Sequence, residues 1–376
     1  MTSPSTFPNT TSPEKSTELC SYCPKLCRSA CPVSDADQTE ATTPWGKMTV
    51  MKMVEEKKIP PTKASMQEAL ALAYKCLDCG ASESACELDN SVAPTLMHYR
   101  KVAFREGWSP ENIQRYCQSF RLHQNPYARD LIKPLKNLAR TFPVSPVSYF
   151  SGCSEISRSP ETVKNSLALL KNSGSEPIGL CSEISCCGYP LYAAGDWEGF
   201  TALAKKNLRE LGRYRELIVG SPSCLWTMET LYPSLSPIKP SLGPIFSSLS
   251  ERLVKQGASH RGRKRQKEKV AYHDPCYLGR HRKVYEEPRS LIQKLPGVEL
   301  VEFSRNREKG HCSGGGGLLP ISSPETAQKI TENRIAEFKK TGADVLVTSC
   351  SVCVGRFKKC GKGLRVLSLA DYLSKP

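Results

Sequence analysis

From residue 146 onward the apolar positions fall into short dense blocks separated by amphipathic stretches. "PVSYFSGC" (146–153), "ELIVGSPSC" (216–224), "KVAYHDPC" (269–276), "VELVEF" (298–303) and "ADVLVTSCSVC" (343–353) are rich in β-branched and aromatic residues and read as strands. "ETVKNSLALLKNSG" (161–174), "FTALAKKNLRELGRY" (200–214), "RSLIQKLPG" (289–297) and "SPETAQKITENRIAEFKKTG" (323–342) read as helices, the first closed by glycine and the last opened by Ser-Pro. Strands alternating with helices predict α/β layers, and two rounds of the alternation predict an internal duplication. Upstream the pattern is helical. In "PTKASMQEALALAYKCLDCG" (61–80), Met66, Leu70, Ala73 and Leu77 fall on one helix face, and Pro143 and Pro146 then mark a boundary.

Composition adds one unusual feature. The 376 residues are 39% hydrophobic and 24% charged, ordinary for a globular protein, but 18 are cysteine. The first twenty residues hold no apolar run, and nowhere does one approach the ~18 residues of a membrane span. The expected location is therefore cytoplasmic, where thiols stay reduced and clustered cysteines bind metal or carry out redox work. Residues 1–18, rich in Ser, Thr and Pro, read as a disordered tail. The formal net charge is +16, to which "RGRKRQKEK" (261–269) contributes six basic residues and one acidic residue. That stretch reads as a solvated linker, or else as a contact for an acidic partner or an anionic membrane face. No nucleic-acid motif accompanies it. Metal-bound cysteines would be thiolates, so the true balance is less basic than the formal one.

The cysteines repeat in register. The first α/β half carries Cys153, then Cys186-Cys187-Gly188, then Cys224 in "SPSC". The second carries Cys276, then Cys312-Ser313-Gly314, then Cys350 and Cys353 in "CSVC". Each group follows a strand or the loop beyond one, and strand ends on one edge of a parallel sheet bring distant residues together. Thiolates are soft ligands that select iron–sulfur clusters, zinc or copper(I). Gly188 and the run Gly314 to Gly317 allow close backbone approach. The register of "SPSC" is open. Counted from Gly188 and Gly314, Cys224 matches Cys350, whereas strand position matches Ser221 to Cys350.

The helical region carries a different set. "CSYCPKLCRSACP" supplies Cys20, Cys23, Cys27 and Cys31, one residue longer than the ferredoxin run C-x2-C-x2-C-x3-C-P. "CLDCGASESACE" supplies Cys76, Cys79 and Cys86, with Ser82 at the third cysteine position. In two-cluster ferredoxins the fourth cysteine of each run serves the other cluster. The expectation is one [4Fe-4S] cluster on Cys20, Cys23, Cys27 and Cys86. A second would sit on Cys76, Cys79 and Cys31, completed by Ser82 or an outside group. Zinc on four thiolates is the competing occupant. Cys117, Cys181 and Cys360 lie outside these motifs and read as ordinary thiols, Cys181 also as a substitute ligand. His273, His281 and His311 read as structural.

"HDPCYLGRH", "CSGGGG" and the pattern of lone cysteine, CCG and C-x-x-C resemble the duplicated cysteine-rich CCG domain found in the B-type subunit of heterodisulfide reductase. The iron–sulfur subunits of glycolate, lactate and anaerobic glycerol-3-phosphate oxidation systems belong to the same group. With the ferredoxin-like region, the resemblance spans roughly residues 19–376. It implies an α+β multidomain chain. An α-helical ferredoxin-type domain (19–142) would precede two CCG domains (143–254 and 269–376), joined by a basic linker (255–268). It also implies electron transfer beside a flavoprotein, to or from a quinone or another carrier, on a protein that is cytoplasmic or peripheral on the inner face of the membrane. The chain shows no dinucleotide, flavin or phosphate-loop motif of its own, so a flavin would come from the partner. Some members reduce a disulfide at a non-cubane cluster that draws on five cysteines. Here Ser221 and Ser313 replace one cysteine in each half, so the type of any cluster in these domains stays open. Disulfide reduction in the CCG region and a zinc-bound structural protein are the alternative functions.

Overall fold

The computed structural model describes residues 12–235, 244–258 and 267–375. Most of the basic stretch, and residues 1–11 of the expected tail, lie outside them. Two four-stranded parallel sheets form the α/β portion. The first runs β2-β1-β3-β4, with β1 Val147–Phe150, β2 Gly179–Leu180, β3 Glu216–Val219 and β4 Ile245–Ser248. The second repeats the order as β6-β5-β7-β8, with β5 Glu268–His273, β6 Val298–Val301, β7 Val345–Thr348 and β8 Val366–Ser368. β1 and β3 pair in parallel from Val147↔Glu216 to Phe150↔Val219, and β5 and β7 from Val270↔Val345 to His273↔Thr348. All four residues of β1, β3 and β7 are buried, as a parallel strand covered on both faces requires.

This strand order has a consequence for chemistry. The chain leaves β1 toward β2 and returns on the other side at β3, so the crevice between the carboxyl ends of β1 and β3 is a topological switch point, and so is that between β5 and β7. The cysteine-bearing segments begin at these ends. Three of the expected strands run on too far: β1, β3 and β7 stop short of their cysteines, and helices take over at Gly152–Arg158, Pro222–Trp226 and Ser351–Cys360. Cys350 has extended angles (φ −134°, ψ 116°) and caps its helix, as Ser221 does (φ −104°, ψ 119°).

The preceding region is helical, with its main helices at Pro13–Ser21, Pro44–Glu55, Lys63–Ala71, Val92–Arg105 and Glu111–His123. The first begins inside the segment whose composition reads as a tail. Ser12 caps it by accepting from the Lys15 N–H at 3.3 Å, and the buried Ser16 hydroxyl donates to Asn90 Oδ1 at 2.6 Å. The 61–80 periodicity ends early: a 3-10 turn at Leu72–Lys75 leads into Cys76, which is extended, and Asp78 takes a positive φ of 54°. The chain leaves the helix there to form a turn around its thiols.

Two buried arginines fix the loops that carry cysteines. Arg289, 1% exposed, makes bidentate pairs with Asp274 (2.7 and 2.9 Å) and Glu302 (2.6 and 3.0 Å). Asp274 also accepts from the Arg307 N–H at 2.8 Å and lies two residues before Cys276. Arg289→Met would strand the buried Asp274 carboxylate. The expected loss of unfolding free energy in chemical denaturation is about 3–5 kcal/mol. Arg100, fully buried, donates to the carbonyls of Ala73 (3.0 Å), Cys76 (2.6 Å), Ala193 (2.7 Å) and Gly317 (2.7 Å). It thereby ties the helical region to both α/β halves.

Candidate metal centres

The thiols gather into four sets. Cys20, Cys23, Cys27 and Cys86 form an outer set: Cys20 and Cys27 both feel Cys23 and Cys86 electrostatically, and burial raises both to about 12. Cys23 and Cys86 are half-buried. Their sulfurs accept hydrogen bonds. The Lys25 N–H reaches Cys23 and the Asn90 N–H reaches Cys86, each at 3.4 Å, and Asn90 Nδ2 reaches Cys20 at 3.1 Å. Such donors favour the thiolate, the form in which cysteine binds metal.

Cys31, Cys76 and Cys79 form an inner set lining one small cavity together with Ser82 and the buried Lys47. The Asp78 N–H donates to Cys76 at 3.4 Å. The Ser82 hydroxyl donates to Glu83 Oε2 at 2.9 Å. Burial raises Cys76 to about 11 and pushes Cys79 up further, opposed by Lys47 and Arg100 at Cys76 and by Arg280 at Cys79.

In the first half, Cys186 hydrogen-bonds to both Cys153 and Cys187, and Cys187 to Cys224. Burial works against ionisation of Cys187, but donation from Cys186, Cys224, the Tyr189 N–H and Thr227 outweighs it and holds this thiol well below the ordinary range. In the second half Cys276 donates to Cys312, and Cys350 pairs with Cys353. Cys312 is held down to about 6, first by Cys276, against burial, and then by the Gly314 and Gly316 N–H groups and Arg280. Cys350 is also lowered, first by Cys353 and, against burial, by the Cys353 and Val352 amides at the start of its helix. The strand ends resolve the register of "SPSC". Ser221 and Cys350 each lie two residues beyond their strand, and Cys224 and Cys353 five. Ser221 thus occupies the position of Cys350.

The sets abut one another. Cys27 feels Cys31, and Cys79 feels both Cys312 and Cys276. The glycine run makes the second approach possible: a Cβ at Gly316 would lie 2.4 Å from the Leu77 carbonyl oxygen, and one at Gly317 (φ +55°) 2.2 Å from that of Cys76. The two cysteine turns therefore meet backbone to backbone. Arg280 lies at the joint, donating to the Cys79 carbonyl at 2.6 Å and to the Gly310 carbonyl, its charge favouring the thiolates of Cys79, Cys276 and Cys312. Beside it the Tyr277 hydroxyl donates to Asp78, and the Tyr189 hydroxyl lies 3.3 Å from the same carboxylate and 2.8 Å from Tyr277. Each of these three residues sits next to, or two from, a motif cysteine.

The two halves face each other across a cavity of about 380 Å³, lined by Cys153, Cys187 and Cys224 from one side and by Cys276, Cys312, Cys350 and Cys353 from the other. Arg158, Arg356 and Lys359 also line it.

Sequence reasoning missed Arg280, Arg100, Lys47 and the Asp78–Tyr189–Tyr277 group. Arg280 lies within "HDPCYLGRH", and both tyrosines lie within two residues of a motif cysteine, but nothing in the chain's order shows that they converge. The histidines are packed. His281 stacks on Tyr277 with centroids 4.2 Å apart, His273 meets Phe357 edge-on, and His311 lies 2.8 Å from Arg305. Cys181 is fully buried, with Tyr214 and backbone donors, and does not line the cavity. Among the described residues, no three Cys, His, Asp or Glu side chains are drawn in tightly enough to hold a single metal ion. Soft donors, N–H groups aimed at sulfur and sulfur-lined cavities are a fit for iron–sulfur groups.

Fold and thiol pattern define a duplicated cysteine-rich α/β protein behind a helical region with ferredoxin-like cysteine runs. Residues 147–229 and 270–358 each match the cysteine-rich CCG domain, so the chain carries two copies of that domain. It is 26% identical over 357 residues to a subunit of the CoM/CoB fumarate reductase of Methanothermobacter marburgensis, covering 92% of this chain and 70% of that protein. It is 26% identical over 290 residues to a subunit of the dihydromethanophenazine:CoB–CoM heterodisulfide reductase of Methanosarcina acetivorans, covering 74% and 71%. It is also 26% identical over 316 residues to the "Probable iron-sulfur-binding oxidoreductase FadF" of Bacillus subtilis, covering 75% of this chain and 42% of that protein. A crystal structure of a hypothetical protein from Helicobacter pylori shares the fold, with a TM-score of 0.54 at 11% identity over 88% of this chain and 67% of its own.

Proposed function

We propose that the chain is an iron–sulfur electron-transfer subunit of an oxidoreductase. The observation that carries this reading is the contiguity of the sets, from the half-buried outer thiols through the inner set to the second half and its cavity. Cys20, Cys23, Cys27 and Cys86 would hold one [4Fe-4S] cluster. Cys31, Cys76 and Cys79 would hold a second, completed by Ser82 or an outside group. Cys153, Cys186, Cys187 and Cys224, and Cys276, Cys312, Cys350 and Cys353, would hold one in each CCG domain. Bound clusters supply one-electron chemistry. The chain's own residues set its energetics: Arg280 places a cation between the inner set and the second half, and backbone amides donate to sulfur, both of which stabilise the more negative, reduced state. The relatives' names, as components of oxidoreductases, support a partner subunit. That partner is a flavoprotein in this reading, with a quinone or another carrier at the far end. Among the described residues no helix is long and apolar enough to cross a membrane.

Anaerobically purified protein is expected to contain iron and acid-labile sulfide in near-equal amounts. Zinc without sulfide would overturn the reading. A second reading, reduction of a disulfide, draws on the cavity, where two thiol sets face one space that Arg158, Arg356 and Lys359 also line. Turnover of a disulfide by the isolated chain with an artificial donor would favour catalysis over relay.

A further inference from the structure

The two serines within the repeated motif lie at different places in the two halves. In the first half Ser221 replaces the first cysteine of C-x-x-C, and in the second Ser313 replaces the second cysteine of CCG. Both are buried, at 3% and 1% exposure. Each half thus keeps four thiols, drawn from three separate loops. The Ser313 hydroxyl donates to Cys353 Sγ at 3.1 Å. Its backbone carbonyl accepts from the Thr331 hydroxyl at 2.8 Å, and Thr331 in turn accepts from the Arg356 guanidinium at 2.9 Å, so the loop that carries the donor is held in place. In the first half Ser221 and Cys224 both pack against Gly152, where an added Cβ would meet the Cys224 sulfur at 3.2 Å and Ser221 Cβ at 3.4 Å.

We propose that each CCG domain of this chain takes a four-thiolate cubane cluster, and that Ser313, standing in for the missing fifth cysteine of the second domain, is a positioning residue that donates a hydrogen bond to a ligand sulfur. The inference rests on the iron–sulfur reading above. The bond at Ser313 runs from the hydroxyl to the sulfur. A serine that served as a ligand would have to lose its proton, whose acidity is far below that of a thiol. The Ser313 proton is instead directed at Cys353. A hydroxyl so placed withdraws electron density from the sulfur and stabilises the reduced cluster, which carries one more negative charge, so it raises the reduction potential. A four-thiolate cluster buried in the second half also needs compensating positive charge, and Arg280 with the Gly314 and Gly316 amides supplies it there.

The test is a redox titration of the anaerobic holoprotein followed by electron paramagnetic resonance. The signal of the second domain is assigned by its loss in Cys276→Ala. In Ser313→Ala the iron and sulfide content should be unchanged and this signal should move to lower potential, while the other signals stay in place. Ser313→Thr, which keeps the hydroxyl, should restore the potential. Loss of one cluster's iron in Ser313→Ala would make the serine a ligand, and an unmoved potential would remove its tuning role. Either result overturns the proposal and leaves the electron-transfer reading intact. A wild-type protein without iron or sulfide would overturn both.

Discussion

Arg100→Met is expected to destabilise the protein by more than about 4 kcal/mol in urea unfolding. Four buried carbonyls lose their donor at once, and each group left unpaired costs about 1–3 kcal/mol. The four belong to different parts of the chain: Ala73 and Cys76 to the cysteine turn of the helical region, Ala193 to the first half and Gly317 to the second. The damage should therefore appear as loosened attachment between these parts, with proteolytic cleavage near residues 142–146 faster than in the wild type. Lysine should rescue little. Its single ammonium is a point donor and cannot reproduce a planar fork aimed at four acceptors. A change below about 1 kcal/mol would show that Arg100 does not hold the assembly together.

Cys79→Ala is expected to have the larger effect on function. Cys79 belongs to the inner set and is also the thiol whose charge reaches Cys276 and Cys312 across the glycine-run contact. Its removal should cost one of the two N-terminal paramagnetic signals. It should also abolish most reduction of the CCG-domain centres by a donor that enters at the outer set, while a small-molecule reductant still reaches them directly. Cys360→Ala, a half-buried thiol outside all four sets, is the control and should change neither. Undiminished transfer in Cys79→Ala would place the route elsewhere.

The duplication was legible because it rests on spacing. Lone cysteine, CCG and C-x-x-C recur after equivalent strands, and β1, β3, β5 and β7 are dense enough in apolar residues to stand out. Among the partners at the sheet edges β6 was legible too, within "VELVEF", but β2, β4 and β8 were not. β2 is two residues long, β4 begins at Ile245 with 68% of its surface exposed, and β8 runs directly into the helix Leu369–Ser374. β2 and β8 are too short to show a period, and β4, Ile-Phe-Ser-Ser, carries no dense apolar block. The pairing of Cys86 with the first cysteine run could be anticipated from the ferredoxin pattern, and the structure places it beside Cys20 and Cys27. What one-dimensional order withheld was adjacency between sets. Gly316 and Gly317 read as freedom for the backbone, and the turn that uses this freedom lies about 240 residues earlier in the chain. Likewise Asp78, Tyr189 and Tyr277 come from three regions and meet only when the two sheets and the helical region dock.

The glycine-run contact also breaks a symmetry. Among the described residues the C-terminal copy brings two of its own motif cysteines, Cys312 and Cys276, up to Cys79, whereas the N-terminal copy meets the same turn through the Tyr189 hydroxyl at Asp78. On the proposed route the C-terminal copy receives charge directly, and its sibling receives it only across the intervening space. Descent from a common ancestor then no longer binds the pair to one role. Each lacks a different cysteine of the motif, so the two halves are chemically distinct as well as differently placed.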